Sequence, residues 1–321
     1  MATVASSVRA RRSPRDRFGD LALYGITAAA ALGTVVLLVL VAYEIFDGAR
    51  EAFSKFGLGF ITSRAWNPVT GEFGALDFIY GTAITSVLAL IIATPLAVAI
   101  GLFLTELAPR SVRAVIGPLV EMLAAIPSVI LGLWGILVLG PFLSKTLEPF
   151  LHDTLGFIPL FGGEPQQSGS GYLPAAIILT IMVVPIVASV SRELFLSVPR
   201  DIKEGALALG MTRWEMVRGV VLPSTRSGLA AAVVLGLGRA VGEAIAVTQV
   251  IGAQTGIHIS LFAAGDTLAS RIASQYQGAT TTLQTSSLIY LAAILLVMSF
   301  VVNLAAQVIV RRFEFVRTGG G

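Results

Sequence analysis

The sequence predicts an all-α integral membrane protein with six transmembrane helices and both termini in the cytoplasm. Three observations carry that prediction. Of 321 residues, 55% are hydrophobic and only 13% charged, against about 25% charged in ordinary soluble domains, and the mean hydropathy is +0.84. Six apolar stretches are long enough to cross a bilayer, and the Lys and Arg residues gather on one side of them. Such a composition argues against a soluble enzyme, a disordered chain or a disulfide-stapled secreted domain. With no cysteine and two histidines, a thiolate metal site, a redox dithiol and a cysteine nucleophile are excluded.

The spans follow in order between charges. Leu21 to Tyr43 is uncharged for 23 residues, enough at about 1.5 Å per residue to cross a hydrocarbon core of about 30 Å. That run is too long for the apolar region of a signal peptide, so 21–43 reads as a retained anchor helix behind a basic tail, 1–20. An outward loop, 44–77, comes next. The core, 78–310, holds five further spans: Phe78 to Thr105, Ala114 to Ser144 interrupted by Glu121, Pro165 to Ser191, Pro223 to Ile251, and Ser287 to Val310. Residues 311–321 form a second tail.

Orientation comes from the cations. Sixteen Lys and Arg lie in the tails, the 106–113 turn and the 192–226 segment, against five on the other side. The positive-inside rule places the richer side in the cytoplasm and the chain in the plasma (inner) membrane as a multi-pass protein. The basic isoelectric point, 9.4, therefore reflects membrane topology, not nucleic-acid binding. Trp66 and Tyr80 flank the second span, either as interface anchors or, for Trp66, packed within the loop.

No catalytic or metal-ligating constellation is present, and none of the three lysines sits in a phosphate-binding G-x-x-x-x-G-K-[ST] run. If ATP drives transport, another chain hydrolyses it. His152 and His258 read as solvated loop residues.

Charges inside spans are more informative. Arg239 lies within the fifth span, where an arginine costs about 2.5–3.5 kcal/mol to insert, so it must face a bundle interior or an aqueous path. Glu243, four residues on, shares its helical face. Gly236, Gly238, Ala240 and Gly242 leave room beside it for a helix or a substrate. Two readings of the pair stand: a guanidinium offered to a crossing oxyanion with Glu243 holding it, or a structural ion pair between helices. Glu121, in the inner part of the third span, is a weaker path candidate. The 192–222 loop is amphipathic and too polar to span. A short helix from Pro199 to Leu209 would end at Gly210, where positive φ is easily adopted. This unit reads as a docking element for a soluble partner or as a helix lying on lipid headgroups.

At this loop the sequence resembles the membrane subunits of ABC importers, whose loop carries E-A-A, three residues, G, nine residues, then I-x-L-P. Glu204, Gly205, Ala206, Gly210, Val220, Leu222 and Pro223 fall at those spacings, with Gly205 for Ala and Val220 for Ile as mild departures. More specifically the chain is similar to PstC-type phosphate permeases. The blocks are FGALDFIYGT (72–82 region), PLAVAIGLFLTELAPR (95–110), AAIPSVILGLWG (124–135), EGALALGMTRWE (204–215) and GLGRAVGEAIAVTQVIG (236–252).

The resemblance implies a type I importer (MetI-like) fold and a transport subunit without catalysis of its own. It implies a PstA-like second permease, a PstB-like ATPase dimer that carries ATP and Mg, and a PstS-like phosphate-binding protein. Glu204, Gly205, Ala206 and Gly210 would couple to the ATPase. Arg239 and Glu243 would lie on the path of inorganic phosphate, and no cofactor is expected in this chain. Another oxyanion, sulfate or molybdate, would suit the same arginine. An ion-coupled secondary transporter would need no ATPase partner and leaves the loop motif unexplained.

Overall fold

Long apolar stretches can satisfy their backbone groups in lipid only as helices or closed barrels, and here they are helical. The computed structural model describes residues 14–164 and 166–318, with side chains described for 18–164 and 166–308. Arg9, Arg11 and Arg12 of the basic tail, and the side chains of Arg15, Arg17, Arg311, Arg312 and Arg317, lie outside this description. Six helices among the described residues are long and apolar enough to cross a membrane: Phe18–Gly48, Leu76–Leu107, Ser128–Leu155, Tyr172–Ser197, Arg213–Val241 and Thr282–Val308.

The chain divides into two units, residues 1–48 and 49–321. Among its described residues the first is a single helix, α1 (Pro14–Gly48), uncharged from Leu21 to Tyr43. The hydroxyls of Thr27 and Thr34 donate back to the carbonyls of Leu23 and Ala30, so these two polar groups are satisfied within the helix.

In the second unit the expected outward loop is structured. Helices α2 (Arg50–Phe56) and α3 (Gly59–Thr62) precede an antiparallel hairpin, β1 (Trp66–Asn67) with β2 (Glu72–Phe73). Trp66 packs inside this cap: its ring lies edge-on to Phe73 and Phe78, and its indole N–H donates to Gln275 at 2.8 Å. Lipid-interface anchoring is thus not its role.

Helix α4 (Leu76–Leu102), prolonged by a π-turn at Phe103–Leu107, is the second span. Ala89, Ala93 and Ala97 form a fully buried small-residue stripe on it. Small side chains let helices approach closely where lipid supplies no hydrophobic drive. The helix they face is α9 (Tyr172–Ser197), the most buried of the spans.

The third span departs from the sequence expectation. The 114–144 stretch is two elements: α5 (Arg110–Ala124), a separate amphipathic helix, and a span that starts only at Ser128. Pro127 is the cause, because it removes a helical N–H and pushes Ile126 out of the α region. The span comprises α6 (Ser128–Trp134), α7 (Gly140–Phe142) and α8 (Glu148–Leu155), joined through π-turns at Gly135–Leu139 and Leu143–Leu147. It runs past Lys145 and includes His152, which lies in its last turn and not in a loop.

After α9 come two short helices, α10 (Arg200–Ala208) and α11 (Arg213–Met216), then α12 (Leu222–Val241). A Cβ at Gly236 would meet Val183 and Val187 at 2.8 and 2.9 Å, so the glycine is what allows α12 to lie against α9. The predicted fifth span, 223–251, is also broken. Helix α12 stops at Val241 and the short α13 (Ile245–Val250) follows. At the end of the bundle remote from α10, the 251–267 segment, α14 (Leu268–Gln275) and the hairpin close over α4. The last helix, α15 (Thr282–Thr318), begins before Ser287 and continues past Val310.

Candidate functional site

Two places carry the sequence-predicted residues, one at each end of α12. The first is α10 and its exit. Helix α10 ends in a Schellman turn: Met211 N–H donates to the Ala206 carbonyl at 3.2 Å and Gly210 N–H to Leu207 at 3.0 Å. Gly210 closes the turn at φ +87°, a conformation that glycine adopts without steric cost. Thr212 then starts α11 with a reciprocal capping box to Glu215.

The segment is clamped to the bundle. Ala206, Met216, Val217 and Val221 form a buried cluster with Phe195 and Val198 at the end of α9. Lys203 bonds the Glu106 carboxylate at 2.6 Å and the Phe195 carbonyl at 2.9 Å, with both charged side chains nearly buried. Arg213 reaches the Glu106 carbonyl at 3.4 Å. The opposite face is bare: Glu204, Gly205 and Gly210 are exposed, and Leu209 and Trp214 are 84% and 66% exposed. An amphipathic helix, rigidly held on one face and solvent-exposed on the other, suits transmission of force better than a flexible loop would. Of the predicted coupling residues, Glu204, Gly205 and Gly210 lie on this free surface, whereas Ala206 faces the bundle.

The second place is the break between α12 and α13. Arg239 sits in the last turn of α12, where a cation complements the helix dipole. Its guanidinium meets the Glu243 carboxylate at 3.0 Å. Glu243 is buried, and its second oxygen accepts the Ala246 N–H of α13 at 3.2 Å. One carboxylate therefore fixes the arginine and starts the next helix. The Arg239 side chain stays 45% exposed, so guanidinium donors not used by Glu243 remain for a ligand. The ion pair ties the end of α12 to the start of α13 and leaves part of the guanidinium exposed.

Glu121 is not part of this site. It lies on α5, exposed, and accepts a bond from Arg192 near the end of α9 at 2.8 Å. That places it at the α10 end of the bundle. Glu121 falls within the apolar stretch 114–144, but the membrane-crossing helix begins only at Ser128 and Glu121 belongs to the separate α5.

Sequence reasoning missed a third polar cluster, at the end away from α10. Asp266 and Arg271, which lie outside the six predicted spans, form a buried ion pair at 2.7 Å. Arg271 lies over the Phe78 ring at 4.7 Å and near Trp66 at 5.8 Å, and Asp266 accepts the Thr267 N–H. Burial pushes the Asp266 carboxyl up and the Arg271 guanidinium down from their ordinary values, so each needs the other as counter-ion. The one local signal was Thr267 before Leu268, a helix cap whose hydroxyl accepts from Ser270.

Six membrane-crossing helices, with a helix clamped at one end of the bundle at the spacing of an ABC importer loop, fit the class of membrane-spanning transporter subunits. The comparisons carry this further. Residues 97–315 match the model of the binding-protein-dependent transport system inner membrane component family. The phosphate transport system permease protein PstC of Mesorhizobium japonicum is 45% identical, covering 99% of this chain and 100% of that protein. PstC of Xylella fastidiosa is 41% identical over 94% of each. A solved bacterial alginate ABC transporter, in complex with an alginate pentasaccharide-bound periplasmic protein, superposes with a TM-score of 0.61. It is 18% identical over 92% of this chain and 97% of that one, a likeness of fold. The chain belongs to the binding-protein-dependent inner membrane component family and, within it, to the PstC permeases. It is a multi-pass inner-membrane protein and a transport component, not an enzyme.

Proposed function

We propose that this chain is a membrane subunit of an ATP-driven importer of inorganic phosphate and forms half of the translocation path. The observation that carries the reading is near-full-length similarity, at 45% identity, to a PstC phosphate permease. In this reading a PstA-like permease supplies the other half of the path. A PstB-like ATPase dimer, which holds ATP and Mg, docks on α10, and a PstS-like protein delivers phosphate on the outer side. The charge asymmetry of the sequence supports placing both termini and α10 in the cytoplasm.

The mechanism needs no chemistry in this chain. ATP binding closes the ATPases, and α10, clamped through Lys203 and Glu106, passes that motion to α4, α9 and α12 as one body. The bundle rocks from inward-open to outward-open, and phosphate enters between the two permeases. Arg239 compensates the charge of the anion, and Glu243 holds the guanidinium in place without covering it. Hydrolysis resets the bundle.

The test is radiolabelled phosphate uptake in phosphate-starved cells lacking this chain, with and without the chain restored, against excess unlabelled sulfate. Restored uptake that resists sulfate supports phosphate import, and uptake abolished by sulfate points to a broader oxyanion importer. Arg239→Gln should lose uptake while the complex still assembles. Near wild-type uptake in that variant removes Arg239 from the path.

A further inference from the structure

Beside the Asp266–Arg271 pair lies a cavity of about 450 Å³, wide open to the surface, at the end of the bundle away from α10. It is walled by Trp66, Ala253, Gln254, Thr255, Arg271 and Gln275, with Pro68 at the hairpin tip. The volume holds a tetrahedral oxyanion with several waters, each of which takes about 30 Å³.

The donors in its wall are left over from an ordered set of bonds. Arg271 commits Nε to Asp266 at 2.7 Å and one Nη2 hydrogen to the Ala253 carbonyl at 3.3 Å. A guanidinium has five N–H donors, so others stay uncommitted. Gln275 accepts the Trp66 indole N–H through Oε1, which leaves its amide NH2 as a donor. Thr255 adds a hydroxyl.

Two carboxylates, Asp266 and Asp77, act on Arg271 from behind, while the wall itself presents the cation. Arg271 is the one charged residue among those lining the cavity. Asp266 and Asp77 are buried and neither lines it. Phe78 and Trp66 hold the guanidinium in place, so little side-chain freedom is lost when an anion binds. Ala253, on the rim, adopts φ +54° without being glycine. Non-glycine residues held there cost about 1–3 kcal/mol and cluster at ligand sites.

We propose that this cavity is an oxyanion transit site at the outer mouth of the permease, receiving inorganic phosphate through Arg271, Gln275 and Thr255 before it reaches Arg239. The assignment of phosphate and of the outer side rests on the function proposed above. The site itself is additional to Arg239.

The experiment uses the full complex in proteoliposomes with phosphate-loaded binding protein, reading initial rates of radiolabelled phosphate uptake. Truncating Arg271 would also unpair Asp266, so the charge is varied at the exposed rim instead, with Thr255→Asp, Thr255→Asn and Thr255→Lys. A unit charge acting over roughly 8 Å changes occupancy from about twofold at the dielectric of water to about thirtyfold at an effective value of 20. The expected result is a maximal rate at least about threefold lower for Asp than for Asn, with Lys no slower than Asn. Equal rates for all three, or equal losses in Asp and Lys, overturn the site. A charge effect confined to the binding-protein concentration needed for half-maximal rate also overturns it, and identifies a docking contact instead. A wild-type complex that imports no phosphate overturns the phosphate reading itself and, with it, the ligand assigned here.

Discussion

Gly210 offers a clean test of the α10 segment, because the structure separates its backbone role from any packing role. A Cβ there would have no heavy atom within 4 Å, yet φ is +87°. Gly210→Ala therefore adds no clash and costs only the left-handed conformation, about 1–2 kcal/mol for a residue with a Cβ. The two bonds of the Schellman turn, from Gly210 and Met211 N–H, depend on that conformation. At about 1.4 kcal/mol per factor of ten, the intact turn loses roughly tenfold in population relative to the unwound one. Gly205 is the internal control. It lies inside α10, exposed, also with no heavy atom within 4 Å of a Cβ. Gly205→Ala should strengthen the helix by about 0.8–1.0 kcal/mol. The assay is ATP hydrolysis stimulated by phosphate-loaded binding protein in the reconstituted complex, with co-purification of the ATPase as the measure of docking. Gly210→Ala should weaken docking or stimulation roughly tenfold, Gly205→Ala should preserve both, and Gly210→Asn should fall between, since Asn tolerates positive φ better than Ala. Full coupling in Gly210→Ala, or equal losses in both alanine variants, would refute the reasoning.

Two further expectations concern buried ion pairs. Lys203→Met strands Glu106, whose side chain is 10% exposed, without its cation. Breaking such a pair costs about 3 kcal/mol, so the thermal unfolding midpoint of the purified complex should drop and stimulated ATP hydrolysis should fall with it. An unchanged midpoint would show that the clamp contributes nothing. Asp266→Ala leaves Arg271 buried and unpaired, at about 3–5 kcal/mol. Adding Arg271→Met should recover most of the lost thermal stability, and a double variant no more stable than the single one would rule out the pairing.

What the sequence determined by itself are the features whose physics is local. Lipid demands about 20 apolar residues per helix with every backbone bond made internally, so six spans were legible from hydropathy between charges. The end of α10 was legible for the same kind of reason, since a positive φ at Gly210 follows from one missing Cβ. Arg239 and Glu243 were legible as a pair from their spacing of four residues, although α12 stops at Val241 and Glu243 meets the arginine from the break beyond it, not from a shared helical face. That the same carboxylate also starts α13 was hidden, since no proline marks the break at Gly242–Ala244 and the helix simply stops there. Tertiary structure alone decided where the remaining charges went. Glu106 meets Lys203 across 97 residues, Trp66 meets Gln275 across 209, and Arg271 lies between aromatic rings of two other segments. A charge is buried or solvated according to whether a distant partner offsets its desolvation, and that partner is not written beside it in the chain. Glu121 and Asp266 show both outcomes: the first, counted inside a span, lies exposed against Arg192, and the second, counted in a loop, is buried against Arg271.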